Sequence, residues 1–312
     1  MEHRTLGASG LAASRLAYGC SGIWGMRYFS EKKAVALAAR ACELGVTLFD
    51  TGAFYCGGEA ERRLGAALKQ IGEADILIST KTGTRRDVRG RLYKDFSAGG
   101  IRRDVETSLK RLARDALDIL HLHGPNKQQF VSSVDTLVRL KEEGKIRAIG
   151  LCSDGPTLAE TAAQRPLDVV MTRYNVLSRA HGPILKQAKA QGMGVLAIAP
   201  LAQGLYRNRF FAPRSTSDFW YLARAMARNR RELARARAAD ALHQIEGWSA
   251  PQAALAFTLR NPDIDSAVMA TTRAEHLASN IQVVGRPLPE DAAEKLALLD
   301  GTEPPSYLPN EA

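Results

Sequence analysis

GVTLFDTGAFYCGGEAERRLGAAL, residues 45–68, begins as an apolar run that stops at Asp50, continues through a short loop carrying Tyr55, and passes into a helical stretch. Two further apolar runs end in the same manner: ILISTK closes at Lys81 and DILHLH closes at His123. In a parallel α/β barrel the active site is built at the C-terminal rim of the strands, so a titratable residue at that edge reads as chemistry. A single Asp or Lys at a strand end is commonly a helix cap or a solvated turn residue. Three strand ends delivering three different titratable groups, with a phenol beside them, instead make a proton-transfer constellation.

Working outward, strand-length apolar runs alternate with amphipathic stretches along the whole chain, the pattern of βα units and a parallel sheet. The predicted strands are LAYGC (16–20), VTLFD (46–50), ILISTK (76–81), DILHLH (118–123), IRAIGLC (146–152), LDVVMT (167–172), GVLAIAP (194–200) and SAVMA (266–270). SEKKAVALAARACELG reads as a helix capped by Ser30 and stopped at Gly45, and IRRDVETSLKRLA as another. Eight strands and eight helices without a composition break predict an α/β fold, a (β/α)8 TIM barrel forming one domain over residues 1–312. Residues 3–16 read as a hairpin around Ser9-Gly10 plugging one barrel mouth. Residues 202–249, after the seventh strand, are too long for a βα loop and predict a lid with an extra helix. Within them the arginine-rich stretch 222–242 reads as a solvated helix face or as a basic lid near phosphates.

Composition narrows the class. The 312 residues are 45% hydrophobic, enough for a large core, and four scattered cysteines without a CxxC pair argue against zinc and against a disulfide framework. A reducing cytoplasm is the expected location, with no signal peptide or membrane span. The net charge of +10 comes without a nucleic-acid motif, so attraction of an anionic cofactor is the simpler expectation.

In order along the chain, RTLGASGLAASRLAYG, FDTGAFYCGGEAERRLGAAL, ISTKTG, LDILHLHGP, GKIRAIGLCS, APLAQGL and TTRAEHLASN resemble the aldo-keto reductases over nearly the full length. That resemblance implies a barrel binding a nicotinamide dinucleotide across the rim without a Rossmann domain, and no GxGxxG follows any predicted strand. It implies a catalytic set of Asp50, Tyr55, Lys81 and His123 and no metal. Tyr55 would donate the proton as hydride reaches the carbonyl carbon, Lys81 would lower its pKa, Asp50 would hold Lys81, and His123 would orient the carbonyl. His121 shares a strand face with His123 but lies one layer deeper, and is expected to be a buried, hydrogen-bonded histidine.

For the cofactor, the resemblance implies Cys152 and Ser153 where a Ser-Asn pair usually holds the nicotinamide amide, Met171 in place of a glutamine, and Ile198 in place of a stacking tyrosine. Arg209, with Arg207 beside it, would meet the pyrophosphate. Thr271, Thr272 and Arg273 would open a helix onto the adenosine 2′-phosphate, and Asn280 would touch the adenine. Ala270 and His276 replace residues common in NADP binders, so NADP is the expected cofactor with NAD also possible. Trp24 and residues 124–130 would line the substrate pocket.

The expected function is NAD(P)-dependent interconversion of a small-molecule aldehyde, ketone or sugar with an alcohol, involving neither nucleic acid nor membrane. A sugar 1-dehydrogenase working oxidatively and a low-turnover cofactor-sensing subunit are the alternatives, and oligomeric state is left open.

Overall fold

The chain enters through an antiparallel hairpin, β1 (His3–Thr5) and β2 (Ala12–Ser14), in which Arg4 faces Ala13. The fold is known from a computed structural model that describes residues 1–72, 75–87, 89–154, 158, 167–202, 219, 223, 226 and 239–299. After the hairpin, eight strands form a closed barrel: β3 (Leu16–Gly19), β4 (Leu48–Asp50), β5 (Leu77–Thr82), β8 (Leu117–His123), β9 (Ile146–Cys152), β10 (Val169–Arg173), β11 (Gly194–Ile198) and β12 (Ser266–Met269). Every barrel pair is parallel, and β12 closes on β3 with Ala267 opposite Leu16. The eight strands are those expected from the sequence, with ends shifted by one or two residues.

Helices pack outside. They are α1 (Glu31–Glu43), α2 (Glu59–Ile71), α3 (Ala98–Leu112), α4 (Lys127–Glu142), α5 (Gly182–Ala190), α6 (Ala250–Arg260), α7 (Ala274–Ile281) and α8 (Glu290–Ala297). Ser30 caps α1 by accepting from the Lys33 N–H, as expected, and Gly45 ends the turn after it at φ +87°. Asn126 with Gln129, and Ser249 with Gln252, form capping boxes that start α4 and α6.

The two-residue period of the strands sorts their side chains into two cores. Tyr18, Phe49, Ile78, Leu120, Leu151 and Val195 face outward and bury against helix residues such as Leu37, Leu64, Ile101 and Leu137. Ala17, Leu48, Leu77, Ile119, Val169 and Leu196 face inward, joined by Leu6, Leu11 and Ala13 of the hairpin. The hairpin therefore plugs the N-terminal mouth, and it does so at close range. Gly7 takes φ +52°, and a Cβ there would stand 2.1 Å from the Gly192 carbonyl oxygen.

A second hairpin, β6 (Thr84–Arg86) with β7 (Leu92–Lys94), rises from the end of β5 and pairs Thr84 with Lys94. Sequence reading missed it because TRRDVRGRLYK is polar and lacks an alternating apolar face. Its turn is nevertheless signalled by Asp87, whose Oδ1 accepts from the Arg89 and Arg91 N–H groups, and by Gly90 at φ +77°. The long insertion after β11 lies mostly outside the described residues, as do Arg207, Arg209 and most of the arginine-rich stretch. Among the described residues, no helix is long and apolar enough to cross a membrane.

Inside the barrel, His121 lies flat against β9, where a Cβ on Gly150 would approach its Nδ1 to 2.2 Å. Gly150 is thus the space that the imidazole occupies. Gly150→Ala is expected to cost about 2 kcal/mol in urea unfolding by overpacking. The Gly150→Ala/His121→Ala double variant should lose less than the sum of its singles, since the methyl then has room.

Candidate active site

Asp50 and Lys81 meet because β4 and β5 pair with Asp50 opposite Ser79, which puts Lys81 two residues further along the same inward face. The Lys81 ammonium donates to both Asp50 carboxylate oxygens at 2.7 Å and to the Thr51 carbonyl at 2.7 Å. Ser79 Oγ donates to Asp50 Oδ1 at 2.8 Å. Lys81 is 3% exposed and Asp50 5%. Burial by itself pulls the Lys81 pKa down, but the raising influences, foremost the Asp50 carboxylate, outweigh it and hold the ammonium above its ordinary value. Ser79 escaped the sequence reading, although its two-residue spacing from Lys81 places it on the same face.

Tyr55 is delivered by a loop with little freedom. Gly52 lies under the ring, where a Cβ would come within 3.1 Å of it, and Cys56, Gly57 and Gly58 follow with positive φ of 52°, 69° and 90°. Arg111 ties this loop down from α3, donating to the Ala53 carbonyl at 2.7 Å and to Glu61 at 3.2 Å. The buried Glu61 carboxylate also accepts from Thr80 Oγ1 at 2.7 Å. Tyr55 packs edge-on against Phe54 at 5.3 Å and His123 at 6.0 Å between ring centroids, and the Lys81 Nζ stands 5.0 Å from its ring.

Lys81 does lower the pKa of this phenol, as expected, but it is not the larger influence. Burial raises the Tyr55 pKa by more than Lys81 lowers it, and the net shift is upward. Tyr55 is therefore a protonated phenol at neutral pH, the form that donates.

His123 ends β8 at the rim, 4% exposed, with Nδ1 lacking a hydrogen-bond partner among the described residues. Burial, then the Lys81 and Lys94 charges, hold its pKa well below the ordinary imidazole value. His121 is fully buried one layer below, as expected from the alternation, but it is not well hydrogen-bonded: among the described residues neither ring nitrogen has a sound partner, and a polar neighbour is the Leu151 backbone. Burial foremost keeps it neutral as well, which is how the site accommodates an unsatisfied imidazole.

The other half of the rim has a different character. Cys152, Met171, Ile198 and Val268 face inward, all buried except Ile198, which is partly exposed. Ser153 is buried next to them and its N–H donates to the Met171 carbonyl at 3.1 Å. Burial above all pushes the Cys152 thiol up to about 12, so it is protonated and shielded. Arg173, two residues beyond Met171 and missed in the sequence, pairs with Asp154 at 3.4 Å. An apolar shelf facing a polar proton-transfer set suits a flat, weakly polar ring on one side and a reacting carbonyl on the other. This donor set fits a nicotinamide.

Thr271 and Thr272 are half-buried, and exposed Arg273 is the N-cap of α7, whose first N–H groups point out of the helix. Asn280 is buried at the other end of α7. Trp24 is 1% exposed, among the largest buried side chains, with its indole N–H unpaired among the described residues. Among the described residues no cluster of ligating side chains could hold a metal ion.

Comparison with known proteins agrees with this fold. The chain is 30% identical over 298 residues to L-galactose dehydrogenase of Arabidopsis thaliana, covering 91% of this chain and 88% of that protein. It is 28% identical over 309 residues to NADH-specific methylglyoxal reductase of Escherichia coli (strain K12), covering 90% and 93%. Among solved structures, the holo form of an aldo-keto reductase from Bacillus halodurans superposes with a TM-score of 0.80 at 25% identity, covering 97% of both chains. The model of the aldo/keto reductase family matches residues 15–300, nearly the whole barrel, and the chain belongs to that family.

Proposed function

We propose that this chain, read as one domain over residues 1–312, is an NAD(P)-dependent reductase of small carbonyl compounds, with Tyr55 as proton donor. The observation that carries the reading is the buried Asp50–Lys81 pair beneath a protonated Tyr55. As charge develops on the carbonyl oxygen, the phenol proton moves to it and the Lys81 ammonium stabilises the phenolate left behind. Asp50 keeps that ammonium fixed and charged, and the neutral His123 imidazole orients the carbonyl.

Bound nicotinamide would supply the hydride. Cys152, Ser153, Met171 and Ile198 would bear its ring, and Arg209, Thr271, Thr272, Arg273 and Asn280 its phosphates and adenosine. NADP is the cofactor of choice in this reading because Arg273 is an exposed cation beside a helix start, suited to a 2′-phosphate. The kinship to a sugar dehydrogenase supports a second reading, oxidation of a sugar at the same residues. A cytoplasmic location is part of the proposal, and the cofactor-sensing alternative predicts little turnover.

Tyr55→Phe is expected to lower kcat by a factor on the order of 10² or more while leaving NADPH affinity within about twofold, since it removes a proton and little binding surface. Stopped-flow reduction of an aldehyde, paired with a fluorescence titration of NADPH, measures both. Lys81→Met should depress kcat similarly and also cost about 3 kcal/mol or more of stability in urea, because Asp50 is left buried and unpaired.

Arg273→Ala is expected to weaken NADPH about tenfold, equivalent to about 1.4 kcal/mol, and to spare NADH. Parallel fluorescence titrations read the difference. An equal loss for both would move Arg273 to the shared adenosine, and no loss for either would remove the support for NADP.

A further inference from the structure

Lys94 is a cation at the rim that the proton-transfer set does not use. It is the last residue of β7, opposite Thr84 on β6, and its ammonium donates to Thr84 Oγ1 at 2.8 Å and to the His123 main-chain carbonyl at 2.6 Å. Both acceptors are neutral, and an ammonium has three protons to donate. Among the described residues no carboxylate lies within ion-pair distance of it.

The contrast with Arg85 on the same hairpin is informative. Arg85 pairs with Asp104 at 2.6 Å and with Asp95 at 3.6 Å, so its charge is matched. Asp95 follows Lys94 directly in the chain, yet its carboxylate turns away to Ser97 at 2.6 Å and Arg103 at 3.4 Å. Among the described residues the fold thus neutralises Arg85 and leaves Lys94 half-buried without a carboxylate partner, next to the residue that would orient the substrate. Burial draws the Lys94 ammonium down to about 8, the direction an arriving anion reverses.

We propose that Lys94 is a substrate-recognition residue and that the site selects carbonyl compounds bearing an anionic group, a carboxylate or a phosphate, within a short carbon chain of the carbonyl. The inference rests on the reductase reading for the position of the carbonyl at Tyr55 and His123. Lys94 supplies one charge-assisted hydrogen bond to the anion while its other two hold Thr84 of β6 and the His123 carbonyl at the end of β8. A neutral aldehyde gains nothing from it.

The test compares matched substrates with NADPH and NADH: butanal against 4-oxobutanoate, and glyceraldehyde against glyceraldehyde 3-phosphate. The expected result is a kcat/KM at least about tenfold higher for one or both anionic members, carried by KM. Whichever pair shows it identifies the anion. Lys94→Met should lower the anionic kcat/KM about tenfold more than the neutral one, and Lys94→Arg should restore most of the difference. No preference in the native protein, or an equal loss on both members in Lys94→Met, would overturn the proposal and leave Lys94 as a brace for the strand end. Calorimetric titration with succinate needs no turnover and separates the two readings. If no substrate reacts, the reductase reading fails. The anion site then survives if succinate binds the native protein at least about tenfold more tightly than Lys94→Met, and falls if it does not.

Discussion

Everything at the rim depends on two opposite charges held out of water. Moving a carboxylate and an ammonium into a protein interior costs several kcal/mol each, and the attraction between them offsets that only when the remaining hydrogen-bonding capacity is also met. Here it is: all three Lys81 donors are engaged, two on Asp50 and one on the Thr51 carbonyl, and Ser79 adds a third hydrogen bond to Asp50. The pair fixes the register of β4 against β5 and supplies a permanent positive charge beside Tyr55. Stability and chemistry therefore share one interaction, and neither residue can be altered for one without disturbing the other.

The balance at Tyr55 follows from the same enclosure. A buried phenol resists ionising, and a nearby ammonium favours it. In this geometry burial is the larger effect. The site stores a proton rather than a phenolate, while Lys81 lowers the cost of giving that proton away once charge appears on a substrate oxygen. His121 and His123 belong to the same scheme. Both are kept neutral by burial and by the lysine, so the lysines supply the positive charge in the mouth.

Much of this was legible in the sequence because parallel strands buried on both faces read as near-continuous apolar runs, and the polar residue that ends each run marks the rim. Asp50, Lys81 and His123 were readable one by one for that reason, and the two-residue period placed His121 a layer deeper. What escaped was contact between distant segments. Arg111 meets Glu61 across 50 residues, and Lys94 meets His123 across 29. Neither pair carries a spacing signal. The sign of the Tyr55 shift was also out of reach, since it is a difference between two large opposing effects set by burial and distance. The β6–β7 hairpin was hidden by its polarity, yet it carries Lys94.

The hairpin of β1 and β2 fills the end of the barrel away from Asp50 and Lys81, with Leu6 and Leu11 seated among the inward strand residues. The barrel is thereby stoppered at that end: its interior is packed side chains and not a channel, so the Asp50–Lys81 pair is shut off from the hairpin side and whatever meets it does so from the opposite rim.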